Sequence, residues 1–353
     1  SFPPLGDDSC KATHGIVHPC EVFRSTRCCK DVATVRKNEY VNLPVICLVG
    51  PTASGKSGLA VRVCRRLYVD EHPAEIINTD SMVVYRGMDI GTATPTLREQ
   101  RTVVHHLVSI LDVTVPSSLV LMQTLARDAV EDCLSRGVIP VLVGGSALYT
   151  KAIIDEMSIP PTDPEVRARW QEKLDAEGPR VLHDELARRD PKAAESILPG
   201  NGRRIVRALE VIDLTGSFTA TIPDGTLHWP KTVQMGLELS RKDIDQRIAD
   251  RVDQMWAYGF VDEVRSLANV GLREGLTASR ALGYRQVLEY LNGDYDEDEA
   301  RRRTIIGTRR FARKQLMWYR RDDRIEWFNA LAPDLDDRVV ARVLTALTTD
   351  EED

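Results

Sequence analysis

The segment Gly50–Ser57 has the residue types and spacing of a phosphate-binding loop. It reads Gly-Pro-Thr-Ala-Ser-Gly-Lys-Ser and directly follows the apolar run Val45–Val49. In a G-x-x-x-x-G-K-S pattern the backbone N–H groups turn toward a phosphate, and the next helix adds its positive dipole end. A chance match on a glycine turn is the ordinary alternative, but the flanking strand and helix patterns argue against it. The pattern predicts diphosphate binding by Gly50, Thr52, Ala53, Ser54, Gly55, Lys56 and Ser57, with the Ser57 hydroxyl placed to ligate Mg²⁺.

Two further polar positions follow apolar strand patterns. Asp80 lies just past Glu75–Asn78, and Gly144-Gly145-Ser146 follows Ile139–Val143. Open α/β sheets bind ligands at the carboxyl ends of their strands, so these positions should meet the phosphate loop. Asp80 could accept a proton or hold Mg²⁺ through water, although capping a turn would explain it equally well. No Asp ends the third strand, as it would in an ordinary Walker B, and this weakens an ATP-hydrolysing motor.

Two arginines, Arg241 and Arg247, lie near the start of a predicted helix that follows the strand pattern Val233–Leu239. Either guanidinium could reach back to a diphosphate. Ion pairs with aspartates of the same helix are the ordinary alternative.

Composition indicates a globular protein without membrane spans. The 353 residues are 42% hydrophobic, no apolar run approaches the ~18 residues of a membrane helix, and the first twenty residues lack a signal-peptide core. A cytoplasmic protein is therefore expected. It is also expected to be a monomer, since no coiled-coil heptad requires a partner. The net charge of −6 hides a basic segment, Arg301–Arg324, with ten Lys/Arg against two acids. That segment is either a solvated helix face or part of a nucleic-acid footprint.

The early cysteines, Cys10, Cys20, Cys28 and Cys29, have His14 and His18 between them. Their spacing lacks a C-x₂₋₄-C pair, so reduced thiols are favoured over zinc. The remaining Cys47, Cys64 and Cys133 are predicted to be buried.

Strands that alternate with helices predict an α/β fold, a P-loop NTPase-like parallel sheet flanked by helices, with a helical insertion and a helical C-terminal region. No internal repeat is visible. The expected organisation is a disordered N-terminal extension (1–43), the first part of the core (44–160), a helical insertion (161–220), core completion with basic helices (221–330) and an acidic tail (331–353).

Taken together, the motifs resemble those of the bacterial-type tRNA dimethylallyltransferases, also called tRNA isopentenyltransferases. The resemblance runs from about Val45 to Phe328. Besides the phosphate loop, it rests on these blocks: Asn-Thr-Asp-Ser-Met-Val-Val-Tyr-Arg-Gly-Met-Asp-Ile-Gly-Thr-Ala at 78–93, His105-His106-Leu107, Val-Gly-Gly-Ser-Ala-Leu-Tyr at 143–149, Arg-Arg-Ile-Val-Arg-Ala-Leu-Glu-Val at 203–211, Gly-Tyr-Arg-Gln at 283–286, and 309–318.

The resemblance implies transfer of a dimethylallyl group from dimethylallyl diphosphate to N6 of the adenosine 3′-adjacent to the tRNA anticodon. The phosphate loop would then hold a leaving diphosphate, with Mg²⁺ on Ser57 and help from Arg241 or Arg247. Asp80 matches the general base, and Ser146 matches a position that is commonly Thr. The target base would have to leave the anticodon stack.

The resemblance also implies contacts with tRNA. The matching positions are Asp80, Ser81, Met82, Val83, Arg167, Arg203, Arg204, Ile205, Val206 and Arg207. Two of them depart from the family pattern, because Val83 and Arg203 stand where Gln is usual.

Three alternatives stay open on the sequence alone. An adenylate isopentenyltransferase would use free AMP, ADP or ATP, although a small acceptor does not need the insertion or the basic segment. A small-metabolite kinase would consume ATP. A non-enzymatic RNA-binding protein would tolerate Asp80→Ala.

Overall fold

The computed structural model describes residues 43–218 and 225–349. Residues 1–42 of the predicted N-terminal extension, with its four cysteines, lie outside the described residues, as does the end of the acidic tail. Within the described part, no helix is long and apolar enough to cross a bilayer.

A single sheet of six parallel strands forms the centre of the molecule, in the order β3-β2-β4-β1-β5-β6. The predicted fold class is confirmed. The strands are β1 (Val45–Val49), β2 (Ala74–Asn78), β3 (His105–His106), β4 (Ile139–Val143), β5 (Thr232–Glu238) and β6 (Ile325–Asn329).

Thirteen α-helices are present in the described part of the chain. They are α1 (Lys56–Val69), α2 (Leu97–Thr102), α3 (Leu119–Ser135), α4 (Ala147–Ile154), α5 (Pro164–Glu177), α6 (Pro179–Arg189), α7 (Pro191–Ser196), α8 (Gly202–Thr215), α9 (Arg241–Ala257), α10 (Phe260–Ala268), α11 (Tyr284–Leu291), α12 (Glu297–Tyr319) and α13 (Leu335–Thr348).

Both faces of the sheet are covered, which explains why the central strands are apolar throughout. In β1, Val45, Cys47 and Val49 pack into one hydrophobic cluster, while Ile46 and Leu48 pack into another on the opposite face. Successive side chains of a strand point to opposite faces, so a strand without polar positions is typical of a sheet buried on both sides. The cysteines of the described chain, Cys47, Cys64 and Cys133, are buried and unpaired as predicted.

The helical insertion has a hydrophobic core of its own, formed by helices α5 to α8 around Trp170, Leu182, Leu186, Ile205 and Leu209. Three of these helices have Pro at the first helical position, and Asp163, Asp190 and Asn201 cap helix N-termini with their side chains. Pro fits this position because the N–H that it lacks has no partner within the helix. These local signals explain why the region breaks into short helices.

The acidic tail expected at 331–353 is wrong for most of its length. Residues 335–348 form α13, which buries Leu335, Val339 and Val343 against the same cluster as α1. Arg62 of α1 also donates to Asp336 at 2.6 Å. The acidic residues at both ends of this segment indicated a solvated tail, but its apolar residues have the i, i+4 spacing that predicts a packed helix. Strands β3 and β6, the two edge strands of the sheet, were likewise not predicted. Strand β3 has only two residues, and β6 mixes buried apolar residues with exposed polar ones, unlike the apolar central strands.

Candidate active site

Three strand ends meet at one cleft. Strands β2, β4 and β1 are neighbours in the sheet, and Asn78, Val143 and Leu48 lie side by side in register. The chain leaves these strands toward Asp80, Gly144 and Gly50, so the three sequence motifs converge as predicted. The cleft has a volume of about 970 Å³ and is also lined by α9, α12 and the loop 89–96.

The phosphate loop has the backbone of an anion cradle. Gly50 and Gly55 have φ values of 138° and 94°, and Ala53 has a φ of 62°. A side chain at Gly50 would also place its Cβ 2.7 Å from the carbonyl oxygen of Leu237, so only glycine fits there. Thr52, Ala53, Gly55, Lys56 and Ser57 all line the cleft, and Ser54 is buried beneath them.

Lys56 is the buried cation of this loop. Its Nζ donates to the carbonyl oxygen of Pro51 at 2.7 Å. Burial lowers the pKa of Lys56 to about 8, an effect that the carboxylate of Asp80 partly offsets and the guanidinium of Arg251 reinforces. Burial disfavours the charged form of Lys56. An anion bound in the cleft would favour that form again, because it would pair with the buried ammonium group.

Asp80 has one carboxylate oxygen engaged in a turn. Oδ1 accepts from the backbone N–H of Met82 at 2.9 Å, and the Asn78 side chain bonds the backbone N–H and carbonyl of Asp80. The turn-capping role is therefore real, but it uses only one oxygen. Asp80 lines the cleft, and its second oxygen can accept a proton or a hydrogen bond there.

The turn after β4 is held by the long helix α12. Gln315 donates to the carbonyl oxygen of Gly145 at 2.6 Å and accepts from the backbone N–H of Thr52 at 2.9 Å. This buried amide ties the phosphate loop to the Gly-Gly turn. Ser146 occupies the N-cap position of α4, but its side chain makes no capping hydrogen bond. The residue lines the cleft. Gln315 was not predicted from the sequence, since its partners lie more than 160 residues away.

Helix α9 supplies two arginines to the cleft, and one of them was missed. Arg247 and Arg251 both line it, while Arg241 does not. Arg251 donates to the Thr52 hydroxyl at 3.3 Å and to the carbonyl oxygen of Gly91 at 3.5 Å. Arg241 has an exposed side chain, 3.9 Å from Asp245. The i, i+4 spacing of the two lining arginines could have revealed Arg251.

Burial lowers the pKa of Arg251, and the carboxylate of Asp80 opposes this effect. The predicted role of Arg241 stays a prediction, but the observed geometry favours Arg251 and Arg247 as diphosphate partners.

One side of the cleft is the loop Asp89–Thr94. The carboxylate of Glu263 accepts from the backbone N–H groups of Asp89 and Ile90 at 3.1 and 2.7 Å, and from the Tyr284 hydroxyl at 2.6 Å. The Asp-Ile-Gly-Thr-Ala block is therefore anchored from outside the cleft. Burial raises the pKa of Tyr284, and the Glu263 carboxylate adds to the rise, so this phenol remains a donor.

The positions predicted to contact tRNA divide into four groups. Ser81, Met82 and Val83 line the cleft beside Asp80. Arg203 and Arg204 are exposed on α8, without a carboxylate partner in the described part of the chain. The side chains of Ile205 and Val206 pack into the insertion core, so direct side-chain contact with RNA by these two is not supported.

The fourth group, Arg167 and Arg207, serves the insertion itself. The Glu210 carboxylate is fully buried, and it lies 2.8 Å from Arg207 and 3.7 Å from Arg167. Arg207 also donates to the carbonyl oxygens of Pro160 and Pro161. Burial acts to raise the pKa of Glu210, but hydrogen bonds from Thr162 and Arg207 lower it by more. The pKa of Glu210 therefore lies below its usual value. These arginines stabilise the insertion itself, and Arg207 also holds the segment that leads into it.

Most cations of the basic segment are paired with acids, either on α12 itself or on other elements. Arg309 and Arg313 lie 3.8 and 3.7 Å from Asp245, and Arg301 lies 2.6 Å from Asp253. Among the described residues, Arg310, Lys314 and Arg321 have no carboxylate partner, and Arg321 lies against the ring of Trp318 instead. The solvated-face interpretation therefore holds for part of the segment, and a smaller set of cations is available to an acidic ligand.

The donors at the phosphate loop suit a magnesium ion only in combination with a ligand. Ser57 is exposed to the cleft at the start of α1, and Asp80 offers one carboxylate oxygen. Mg²⁺ takes oxygen ligands, keeps several waters and is commonly completed by substrate phosphates. This donor set fits such a site and is too small for an all-protein one.

A second group of potential ligands lies away from the cleft. His106 is 2.7 Å from Glu75, and Cys133 lies beside both. Arg136 binds the same carboxylate with two hydrogen bonds, at 2.8 and 2.6 Å. Burial alone would raise the pKa of Glu75, but the bonds from Arg136 and His106 lower it to about 2. Burial raises the pKa of Cys133 to about 12. We interpret this group as a structural contact that joins β2, β3 and the end of α3.

The fold and the cleft define a class: a P-loop α/β protein in which a phosphate cradle faces a carboxylate across the ends of parallel strands. The family model for IPP transferase matches residues 83–322. The chain belongs to the IPP transferase family.

Relatives cover most of the chain. A tRNA dimethylallyltransferase of Thermobifida fusca is 54% identical over 300 residues, which is 85% of this chain and 94% of the relative. A tRNA dimethylallyltransferase of Kineococcus radiotolerans is 55% identical, covering 82% of this chain and 92% of the relative. The crystal structure of a full-length tRNA isopentenylpyrophosphate transferase from Bacillus halodurans has a TM-score of 0.63 at 36% identity, covering 86% of this chain and 96% of that one.

Proposed function

We propose that this protein transfers a dimethylallyl group from dimethylallyl diphosphate to N6 of the adenosine 3′-adjacent to the anticodon of tRNA. The observation that carries the proposal is one cleft that places the Asp80 carboxylate opposite the phosphate loop, in a chain whose relatives are named for this reaction. Acting on tRNA, the enzyme would work in the cytoplasm.

The donor side of the reaction follows from the loop. The bond between C1 of the allylic group and the diphosphate oxygen breaks, and the electron pair leaves with the diphosphate. Backbone N–H groups of the loop, Lys56, Arg247 and Arg251 are positioned to stabilise that growing negative charge. Preorganised donors of this kind lower a barrier because they need not reorient as charge develops.

The acceptor side needs a base, because an exocyclic amine is a poor nucleophile until it loses a proton. As N6 forms its bond to C1, its proton passes to the carboxylate oxygen of Asp80 that the Met82 turn leaves available. The target base must leave the anticodon stack to reach the cleft. The Ser146 hydroxyl, unused as a helix cap, can orient the base or the diphosphate.

Magnesium fits this reaction as a partner of the bound diphosphate. Ser57 would supply a protein ligand, with phosphate oxygens and water completing the shell, and the ion would add positive charge at the leaving group.

The test is product analysis. Protein, Mg²⁺ and dimethylallyl diphosphate are incubated with an unmodified anticodon stem-loop, with the same RNA carrying guanosine at the target position, or with AMP. Nucleosides are then weighed by mass spectrometry. A prenyl mass on adenosine from the first RNA alone is expected. Product from AMP alone would contradict tRNA as the acceptor, and ATP consumption without any prenylated product would contradict the reaction class.

A further inference from the structure

A second cavity lies beside the catalytic cleft. It has a volume of about 390 Å³ and is formed by α4, the end of α12 and Arg204 of α8. Its boundary with the cleft is thin: Ser146 lines the cleft and Ala147 lines the cavity, while Gln315 lines the cleft and Tyr319 lines the cavity. The Tyr319 hydroxyl donates to the carbonyl oxygen of Gly144 at 3.3 Å. Tyr319 thus links the lining of the cavity to the Gly-Gly turn that lines the cleft.

The cavity combines positive charge with an aromatic face. Lys151, Arg204 and Arg321 line it, against one acid, Asp322. The indole of Trp318 also lines it and is 41% exposed, with the Arg321 guanidinium 5.6 Å from its ring centre. Cations for a phosphate next to an aromatic ring for a base are the combination with which proteins hold single nucleotides of RNA.

A buried polar group in the same wall lacks a partner. Gln234 of β5 is 5% exposed, lines the cavity, and its side-chain nitrogen has no hydrogen bond in the described part of the chain. A buried amide is nearly always hydrogen-bonded, so a ligand that supplies an acceptor would complete it. The Gln234 amide offers a donor and an acceptor, and the buried residue Thr150 also lines the cavity with its hydroxyl-bearing side chain. Base edges present matching groups.

We infer that this cavity binds a second nucleotide of the acceptor RNA, a neighbour of the adenosine that enters the catalytic cleft. Trp318 stacks on its base, Gln234 bonds its edge, and Lys151, Arg204 and Arg321 hold its phosphate. The inference rests on the proposed function for the identity of the RNA. It gives Arg204 a role in selecting the substrate by a base outside the reaction, rather than a purely electrostatic role.

The test pairs altered protein with altered RNA. Anticodon stem-loops that each carry one abasic nucleotide at a position flanking the target adenosine are prenylated by the wild type, Trp318→Ala, Arg321→Gln and the matched control Arg320→Gln. Arg320 neighbours Arg321 but faces Glu238, at 3.4 Å, instead of the cavity. The KM for RNA, the kcat and the KM for the donor are measured for every pair.

In the wild type, the abasic change at one position should raise the RNA KM about tenfold or more, the size expected for loss of a stacked base. Trp318→Ala should raise the KM for intact RNA similarly and remove the further effect of that abasic change, with kcat and the donor KM within about twofold. Arg320→Gln should retain the full abasic effect. Gln234→Met should reduce discrimination between intact and abasic RNA without lowering the melting temperature, since it removes an unpartnered amide.

The inference is overturned if the abasic penalties persist unchanged in Trp318→Ala at every position, or if the cavity variants leave the RNA KM unaltered. Saturable stimulation or inhibition by free AMP that disappears in Arg321→Gln, without coupling to any abasic position, would assign the cavity to a free nucleotide instead. If the wild type forms no prenylated RNA, the proposed function fails. RNA dissociation constants for the same pairs of protein and RNA variants, measured by fluorescence anisotropy, then still show whether the cavity binds a nucleotide.

Discussion

The donor end of the cleft and the surface of the helical insertion use arginine and lysine in opposite ways. At the donor end, Lys56 and Arg251 are enclosed, and burial lowers the pKa of both. On the insertion, Arg167 and Arg207 instead share a buried glutamate, and Arg189 pairs with Asp213 at 2.6 Å. The first region holds charge that is incompletely paired, and the second uses much of its charge to hold the protein together.

This difference separates groups poised for a ligand from groups that only look like a binding surface. An incompletely paired buried cation costs folding free energy, and a bound anion recovers that cost. A cation already paired with a carboxylate has less to gain from RNA. Counting positive residues along the chain therefore overstates the RNA-binding surface and understates the donor site.

The largest effect is expected at Asp80. Asp80→Asn keeps an oxygen that can accept from the Met82 N–H, so the turn should survive, while the proton acceptor is lost. We expect the single-turnover rate to fall by about 10²–10⁴, the usual contribution of a general base. RNA affinity should stay within several-fold, as measured by fluorescence anisotropy. Asp89→Asn is the control, because Asp89 lines the same cleft. Equal losses of RNA binding and turnover would contradict a role as base.

The next effect distinguishes two arginines of α9. Arg251→Gln should lower kcat/KM for the donor by about 10²-fold, the size seen when one charge-stabilising donor is removed. Arg241→Gln should change it by less than about threefold, because that side chain is exposed beside Asp245 and does not line the cleft. Steady-state kinetics at saturating RNA measures both. The opposite order of effects would mean that α9 shifts when substrates bind, and it would restore Arg241 as the catalytic arginine.

The sequence was sufficient where chemistry follows directly from strand ends. The loop at Gly50, the carboxylate at Asp80 and the turn at Gly144 were each marked by a short apolar strand and a distinctive turn, and the order of the parallel strands brings them together. Parallel strands align their carboxyl ends, so no long-range information was needed for this part of the site.

The sequence was insufficient where a contact joins distant segments. Gln315 and Arg251 reach Thr52 across 263 and 199 residues. Nothing local distinguishes Gln315 from other polar helix positions, and for Arg251 the only local signal was its i, i+4 spacing from Arg247. Helix α13 was not predicted, because the acids at its ends indicated a tail, although the spacing of its apolar residues predicts a helix. Ile205 and Val206 matched a motif for RNA contact, yet they form the core that supports Arg204.

A smaller effect is expected from pH. The pKa of Lys56 is lowered to about 8, so the ligand-free lysine is charged below that pH and neutral above it. Bound diphosphate favours the charged form, so the dissociation constant should rise as pH increases above about 8, by up to tenfold per unit. Lys56→Arg keeps its charge and reports the titration of the ligand alone. Calorimetry of diphosphate binding between pH 7 and about 9.5 measures both; identical profiles would show that the lysine does not titrate there.

The smallest effect concerns α12. Arg310 has no carboxylate partner in the described part of the chain, whereas Arg313 lies 3.7 Å from Asp245. If Arg310 contacts an RNA phosphate, Arg310→Gln should reduce the slope of log affinity against log salt concentration by about one and weaken binding several-fold. Arg313→Gln should change that slope less, because its guanidinium is already paired.

Anisotropy titrations of a stem-loop at several salt concentrations measure these slopes. Equal slopes for the two variants would mean that the Asp245 pairing does not withhold Arg313 from RNA. The contrast between paired and available cations would then fail on α12 and hold only for the buried pairs of the insertion, where Glu210 is fully enclosed. Surface ion pairs are worth only about 0–1 kcal/mol, so α12 is where an RNA phosphate could most easily compete with the carboxylate.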